Sequence, residues 1–195
     1  LYGRNRGASR GPLVQVIPSG PDLPTSVAIA AQFTAAIGTS QSRCWIATPY
    51  FVPDEALLLV LTTAAYRGVD VRILVPSPAN VDVRLVSLAA RSYYDELLAA
   101  GARIYEYQSG MLHAKSLLID TQVAAIGSAN MDIRSFYLNF EVTAMFYDAA
   151  VTEQLAEHFL RHLEGAIEIR TASRERLPLA QRLGESFARV LSPLL

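Results

Sequence analysis

Short apolar runs bounded by Pro and Gly clusters alternate along the chain with longer segments of helical periodicity. Leu13 to Ile17 alternates as a strand and runs into the turn cluster Pro18-Ser-Gly-Pro21. From Thr25 to Ile37 the apolar residues Val27, Ala31, Phe33 and Ile37 recur at roughly helical spacing. Arg43 to Thr48 reads as a second strand, closed by Pro49-Tyr-Phe-Val-Pro53. Pro53-Asp54-Glu55 is a helix start, with a fixed φ and acids in the first turn, and that helix reaches about Arg67 before Gly68 stops it. Val69 to Val75 is a third strand with one apolar face at 69, 71, 73 and 75, ended by Pro76-Ser-Pro78. Val81 to Ala100 predicts a longer helix stopped by Gly101, and Arg103 to Tyr107 a fourth strand. Leu112 to Ile119, Val123 to Ile126 and Leu138 to Tyr147 then follow as strands with no helix between them. Val151 to Glu164 closes the pattern as an amphipathic helix, and Arg174 to Val190 as another that Pro178 interrupts.

Strands and helices in strict alternation predict an α/β fold: a mixed, mainly parallel β-sheet sandwiched between helices. The last three strands are expected to extend that sheet in mixed or antiparallel fashion. Residues 1–12, with Arg4, Arg6 and Arg10 among Gly, Ser and Asn, read as a linker. Residues 13–195 read as one domain, long enough to bury well over half the surface of its unfolded chain. The chain opens on Leu1-Tyr2-Gly3 without an initiator Met or a signal-peptide pattern, so it is expected to be a portion of a longer product.

Composition narrows the function. The net charge is −1, which gives no global basic field of the kind that gathers nucleic acid. Hydrophobic content is high at 51 %, yet apolar runs such as Ala56 to Leu61 fall far short of the ~20 residues of a membrane span. The single cysteine, Cys44, permits no intramolecular disulfide and reads as a small core residue. Basic residues total 17, and Lys115 is the only lysine among them. A chain that otherwise uses arginine and keeps one compact ammonium suggests a geometric need that a planar guanidinium does not meet.

That lysine sits in Gly110-Met-Leu-His-Ala-Lys-Ser-Leu-Leu-Ile-Asp120, followed by the turn Gly127-Ser-Ala-Asn130. Side-chain alternation along a strand puts His113 and Lys115 on one face, about 7 Å apart. An imidazole beside an ammonium suits a phosphate: the Lys neutralises an oxygen while the His attacks phosphorus or protonates a leaving oxygen. Ser128, Asn130 and the bare Gly127 backbone suit a phosphate loop. Asp120 precedes Thr121-Gln122, where it serves either the chemistry or the turn. Asp132 and Arg134 read as structural. In Leu138-Asn-Phe-Glu-Val142, Asn139 and Glu141 share a face. His158 and His162 lie four apart on a helix but lack a third partner at convincing spacing, so no metal site is expected. Tyr50, Tyr93 and Tyr94 line either a lipid groove or the core.

The spacing H-x-K-x4-D-x6-G-S-x-N, filled by His113, Lys115, Asp120, Gly127, Ser128 and Asn130, resembles the signature of the phospholipase D superfamily. Thr48-Pro-Tyr-Phe-Val-Pro-Asp-Glu55, Arg91-Ser-Tyr-Tyr94, Arg134-Ser-Phe-Tyr-Leu-Asn-Phe-Glu141 and Ser192-Pro-Leu-Leu195 are similar to the carboxy-terminal half of bacterial cardiolipin synthase. The resemblance implies a phospholipase D-like domain with one copy of a motif that such enzymes carry twice. It implies transfer of a phosphatidyl group between two phosphatidylglycerols through a phosphohistidine, releasing glycerol. His113 would be general acid/base, with nucleophile as the alternative, and Glu141 would hold its ring. Lys115 and Asn130 would bind phosphate with Ser128 assisting, and Asp120 would belong to the catalytic set. No cofactor or metal is required. The implied partners are the phospholipid, a membrane surface, and an amino-terminal motif half or a second copy forming a homodimer, with no nucleic acid. The implied location is the bacterial cytoplasmic membrane, peripheral or tethered, with the catalytic domain on the cytoplasmic side. The isolated chain is expected to be inactive. Hydrolysis by water, another acceptor alcohol, or a non-catalytic lipid-binding module are the alternatives.

Overall fold

The computed structural model describes residues 11–192, so most of the expected linker lies outside the described residues. The elements run β1 (Leu13–Ser19), α1 (Ala28–Thr39), β2 (Arg43–Ala47), β3 (Phe51–Val52), α2 (Glu55–Tyr66), β4 (Asp70–Pro76), α3 (Arg84–Arg91), α4 (Tyr94–Ala99), β5 (Arg103–Tyr107), β6 (Ser116–Ile119), β7 (Val123–Gly127), β8 (Met131–Asp132), α5 (Ile133–Tyr137), β9 (Glu141–Tyr147), α6 (Ala149–Glu164), β10 (Ala166–Ile169), α7 (Thr171–Glu175) and α8 (Leu179–Val190). Eight strands form one sheet in the order β1-β9-β7-β6-β2-β4-β5-β10, and β3 pairs with β8 in a second, two-stranded sheet.

The large sheet is mixed, as expected, but its parallel part is confined to β2, β4 and β5. Strand β1 does not enter that parallel run. It crosses to the far edge and pairs antiparallel with β9, Ile17 opposite Thr143 and Ser19 opposite Glu141. The pairs β9-β7, β7-β6, β6-β2 and β5-β10 are antiparallel too. Pleating divides the core into two. Cys44, Ile46, Ile73, Leu117, Ala125 and Met145 face a large cluster built with α1 and α2. Trp45, Ala47, Leu74, Leu118 and Ala124 face α6, where Phe159 stacks on Trp45 at 5.2 Å between ring centroids. Helices therefore cover both faces, and Cys44 is fully buried.

Local chemistry accounts for where the elements begin and end. Asp54 caps α2 by accepting from Leu57 N at 2.7 Å, and Gly68 ends it at φ +86°. Asp148 caps α6 in the same way through Val151 N at 2.9 Å. Pro178 immediately precedes α8, so the expected interruption separates α7 from α8. The long helix expected over 81–100 is instead two, α3 and α4. Ser92 Oγ donates to Ala89 O at 2.6 Å, and this local bond competes with helix continuation. Strand β9 begins at Glu141 rather than Leu138, because Asp132 accepts from Ser135 N at 2.6 Å and nucleates the short helix α5 in between. No helix among the described residues is long and apolar enough to cross a membrane.

Candidate active site

The parallel strands β2, β4 and β5 point their carboxyl ends at one edge of the domain, and the motif residues gather at the β2 corner of that edge. Strand register places them there: Ala47 at the end of β2 is opposite Ser116, Ser116 is opposite Ile126, and Gly127 is opposite Thr143. The regular ladder of β6 starts at Ser116, later than the expected Leu112. His113 and Lys115 lie on the extended lead-in, where Gly127 N still donates to Lys115 O at 3.2 Å. Gly127 is required by space. A Cβ there would fall 2.4 Å from Val142 O and 2.5 Å from Thr143 Oγ1, so any side chain would push β7 off β9.

Lys115 stands half-buried at this corner, its Nζ donating to His113 O at 3.2 Å. Burial lowers its pKa, against the opposing fields of Glu141 and Asp132. Ser128 is stitched to β9 in both directions: its N–H donates to Val142 O at 3.0 Å, and its Oγ accepts from Val142 N at 3.0 Å. The same hydroxyl donates to the Glu141 carboxylate. Asn130 N donates to Ser135 Oγ at 3.1 Å, and its side chain favours the charged form of the Asp132 carboxyl. Burial pushes that carboxyl up despite its bond from Ser135. Asn130 Oδ1 and Thr143 Oγ1 are buried without a partner among the described residues, as are Ser77 Oγ and Tyr105 OH elsewhere.

His113 is exposed, and among the described residues its ring makes no hydrogen bond. The expected Glu141 bond to it is not made; Glu141 holds Ser128 and receives a weak 3.4 Å contact from Asn139 Nδ2. Asp120 is not brought to the site at all. It lies at the opposite end of β6, where its carboxylate accepts from Gln41 N, Ser42 N, Ser42 Oγ and Arg43 N at 2.7–3.1 Å. Its backbone sits at φ +50°, a region that Asp tolerates better than most residues. Asp132 is an N-cap of α5 and forms no ion pair with Arg134. Tyr94 is buried in the core, and Tyr93, also largely buried, lines the cleft between the start of α2 and the end of α8 rather than the motif corner.

One residue of this edge, Asp82, escaped the sequence reading. Tyr50 OH donates to both oxygens of Asp82 at 2.7 Å, and Tyr50 is itself tied to the motif turn through Met131 N donating to Tyr50 O at 3.2 Å. The Tyr50 hydroxyl is pushed up to about 12, by burial first and then by Asp82. Asp82 is held below the usual carboxylate range, chiefly by that hydroxyl, with the nearby His113 adding to it. Only its place in the loop after a parallel strand, where open α/β sheets bind ligands, could have flagged it. His158 and His162 on α6 line a cavity together with Lys115, Ser116 and Ala114, although neither is bonded to Lys115; His162 Nδ1 lies 2.8 Å from His158 O and its ring packs edge-on to Tyr107. No cluster of three metal-ligating side chains occurs among the described residues.

A lysine beside a histidine at the carboxyl edge of an α/β sheet, with a serine-asparagine turn alongside, matches a known family in sequence. Residues 33–163 fit the model of the "Cardiolipin synthase, PLD-like domain" family. The chain belongs to that family. Cardiolipin synthase of Geobacillus sp. (strain WCH70) is 48 % identical over 182 residues, 93 % of this chain and 36 % of the relative. Cardiolipin synthase 2 of Bacillus anthracis is 46 % identical over the same share of this chain and 35 % of its own length. The phospholipase D-like domain described here thus spans about a third of the curated cardiolipin synthases it matches. The fold recurs in Nuc of Salmonella typhimurium, a phospholipase D family member, with a TM-score of 0.68 and 22 % identity over 83 % of this chain and all of that one. It recurs also in phosphatidylserine synthase of Haemophilus influenzae Rd KW20, with a TM-score of 0.73 and 16 % identity over 95 % of this chain and 49 % of that one.

Proposed function

We propose that this domain contributes one half of the active site of a phosphatidyltransferase that joins two phosphatidylglycerols into cardiolipin and glycerol. The observation that carries this reading is the gathering of His113, Lys115, Ser128 and Asn130 at one sheet corner in a chain of the cardiolipin synthase family. In the first step a histidine from outside this chain attacks phosphorus. A P–N bond forms and the P–O bond to the glycerol headgroup breaks. His113, as its imidazolium, donates a proton to the leaving glycerol oxygen. In the second step neutral His113 takes the proton of a hydroxyl on the second phosphatidylglycerol. That oxygen attacks phosphorus, the P–N bond breaks, and cardiolipin leaves with both histidines restored.

Lys115 would neutralise a phosphoryl oxygen, and desolvation lets its ammonium act more strongly than it would in water. Asn130 has two amide protons, so one remains for phosphate while the other faces Asp132. Glu141 would hold Ser128 toward the same oxygens and balance the charge of Lys115. Charge favours a half-site. The corner offers one lysine ammonium beside Glu141 and Asp82, so a phosphodiester anion needs further positive charge from elsewhere. An amino-terminal half of the same enzyme is the favoured source, and a second copy across a two-fold axis the alternative. A membrane surface is the medium in which both substrates are met.

Product analysis tests this. Purified full-length enzyme given phosphatidylglycerol should release cardiolipin and glycerol in equal amounts, and should keep doing so in excess chelator. Phosphatidic acid as the main product would replace the transfer reading with hydrolysis. Absence of turnover with intact lipid binding would favour a non-catalytic module. Loss on chelation restored by one divalent ion would point to metal chemistry.

A further inference from the structure

We infer that α8 is a lipid-surface contact, whose outward apolar stripe of Leu179, Leu183, Phe187 and Val190 enters the interface of an anionic bilayer. The helix is amphipathic in the reverse sense to an ordinary surface helix. Its inner face is small or polar: Glu185 and Ala188 are buried, with Gln181 and Gly184 beside them. That inner face is held by ion pairing rather than by apolar burial. Arg174 Nη2 donates to Glu185 Oε2 at 2.7 Å, and the same guanidinium donates to Asp95 at 2.8 Å and to Arg91 O at 3.0 Å. The large apolar side chains all point the other way and are 71, 60, 65 and 75 % exposed. Their spacing of four, four and three residues keeps them in one row along a single helix face.

The shape and charge of the row select the occupant. Leu179 to Val190 spans about 16 Å of helix at 1.5 Å per residue, one side chain wide. Such a strip falls well short of the ~800 Å² per partner of a stable protein interface, but it is what an amphipathic helix lying in a headgroup region presents. Arg182 lies on the helix beside the row and Arg176 just before it, and among the described residues neither takes part in an ion pair. The only acid of α8, Glu185, is buried against Arg174. The exposed surface of α8 itself is therefore apolar with, among the described residues, one unpaired cation, Arg182, which lines a cleft with Asp95 and Glu175. The stripe together with that arginine complements anionic lipid. A cleft lined by Pro53, Asp54, Tyr93, Ile133, Arg189 and Ser192 joins the end of α8 to the start of α5, which follows on the motif turn. The inference rests on the proposed function only in taking phosphatidylglycerol as the natural anionic lipid.

Vesicle flotation of the 195-residue chain tests it without any turnover, so failure of the proposed reaction leaves this result readable. Wild type should float with vesicles of phosphatidylglycerol mixed into phosphatidylcholine, less at high salt, and not with phosphatidylcholine alone. Leu183→Glu combined with Phe187→Glu should weaken binding at least about ten-fold. Leu59→Glu, at a leucine 67 % exposed on α2, should leave it unchanged. All three proteins should melt together, since each altered side chain is exposed. Arg182→Gln should lower affinity and flatten the salt dependence. Absence of wild-type binding, or equal binding by the double variant, overturns the inference. Conversion of a dimer to a monomer by the double variant would overturn it in favour of a second copy on this face.

Discussion

At one end of β6, Asp120 accepts from the backbone N–H groups of Gln41, Ser42 and Arg43 and from the Ser42 hydroxyl. At the other end, across the four residues of β6, His113 makes no side-chain bond among the described residues and Lys115 reaches just a carbonyl of its own segment. Both ends belong to one motif, and they sit in opposite conditions. Burial raises the Asp120 carboxyl, but the bonds from Ser42, Arg43 and Gln41 outweigh it and hold the group below its ordinary value. Burial lowers the Lys115 ammonium and nothing outweighs it. A satisfied charge stabilises the fold; an unsatisfied, partly desolvated one is an unfavourable arrangement that a ligand would relieve. One end of the strand is thus a splice between β6 and the start of β2, and the other is the end proposed to take phosphate.

Substitutions should separate the two ends. The largest effect belongs to His113→Ala in the full-length enzyme, expected to lower turnover about 10²–10⁴-fold while the thermal midpoint stays put. Near-normal turnover in a folded variant would remove His113 from the mechanism. Lys115→Met should cost about 10²–10³-fold in turnover, and Lys115→Arg should not restore it, because the planar fork cannot occupy the point-charge position. Neither change should destabilise the free chain. A lysine whose folded pKa lies below its unfolded one adds stability only as pH rises toward about 10.5, so Lys115→Met should flatten that alkaline rise. Melting curves across pH 8–11 would show it.

Asp120→Ala should reverse the pattern, costing about 2–3 kcal/mol of stability through lost charge-assisted bonds and the φ +50° backbone. Turnover per folded molecule should remain near wild type. Because the folded pKa is depressed, the Asp120 contribution is present above about pH 4 and is lost as pH falls through the folded value. Asp120→Asn keeps the tolerated backbone and should remove that acid-sensitive part alone, as urea titrations at pH 3 and pH 7 would report. A turnover loss as large as that of His113→Ala would break the division between the ends. The smallest effect is expected from Ser128→Ala, a few-fold in turnover, since Glu141 and the backbone of β9 still fix the turn.

Much of this was legible in the sequence. Proline and glycine punctuation located β2, β4, β5, α2 and α6 to within a few residues, because caps and left-handed turns are local chemistry. The motif identified the corner where His113, Lys115, Ser128 and Asn130 meet. What stayed hidden depends on contacts distant in the chain. Asp82 is bonded into the site through Tyr50, 32 residues away. Glu141 is on the expected strand, but its partner is set by how Ser128 turns back over β9. β10 pairs with β5 across some sixty residues, so no local signal announces it. Periodicity in 174–190 shows that a helix has an apolar stripe and is silent on which way the stripe faces.

The half-site reading is tested most directly by assaying cardiolipin formation with the purified 195-residue chain, alone and after adding the remainder of the full-length enzyme, with the mass in solution measured under the same conditions. The account predicts a chain that binds phosphatidylglycerol headgroup or inorganic phosphate through Lys115 but forms no cardiolipin as a monomer. It predicts turnover only when a second histidine-bearing half is supplied. His158 and His162 share a cavity with Lys115, but the His162 ring is taken up by His158 O and Tyr107 and both sit on α6 outside the motif strand, so neither should substitute. Robust cardiolipin formation by a strictly monomeric sample would contradict the account. Turnover by a two-fold dimer that brings two copies of His113 to one phosphate would keep the half-site and change only its partner.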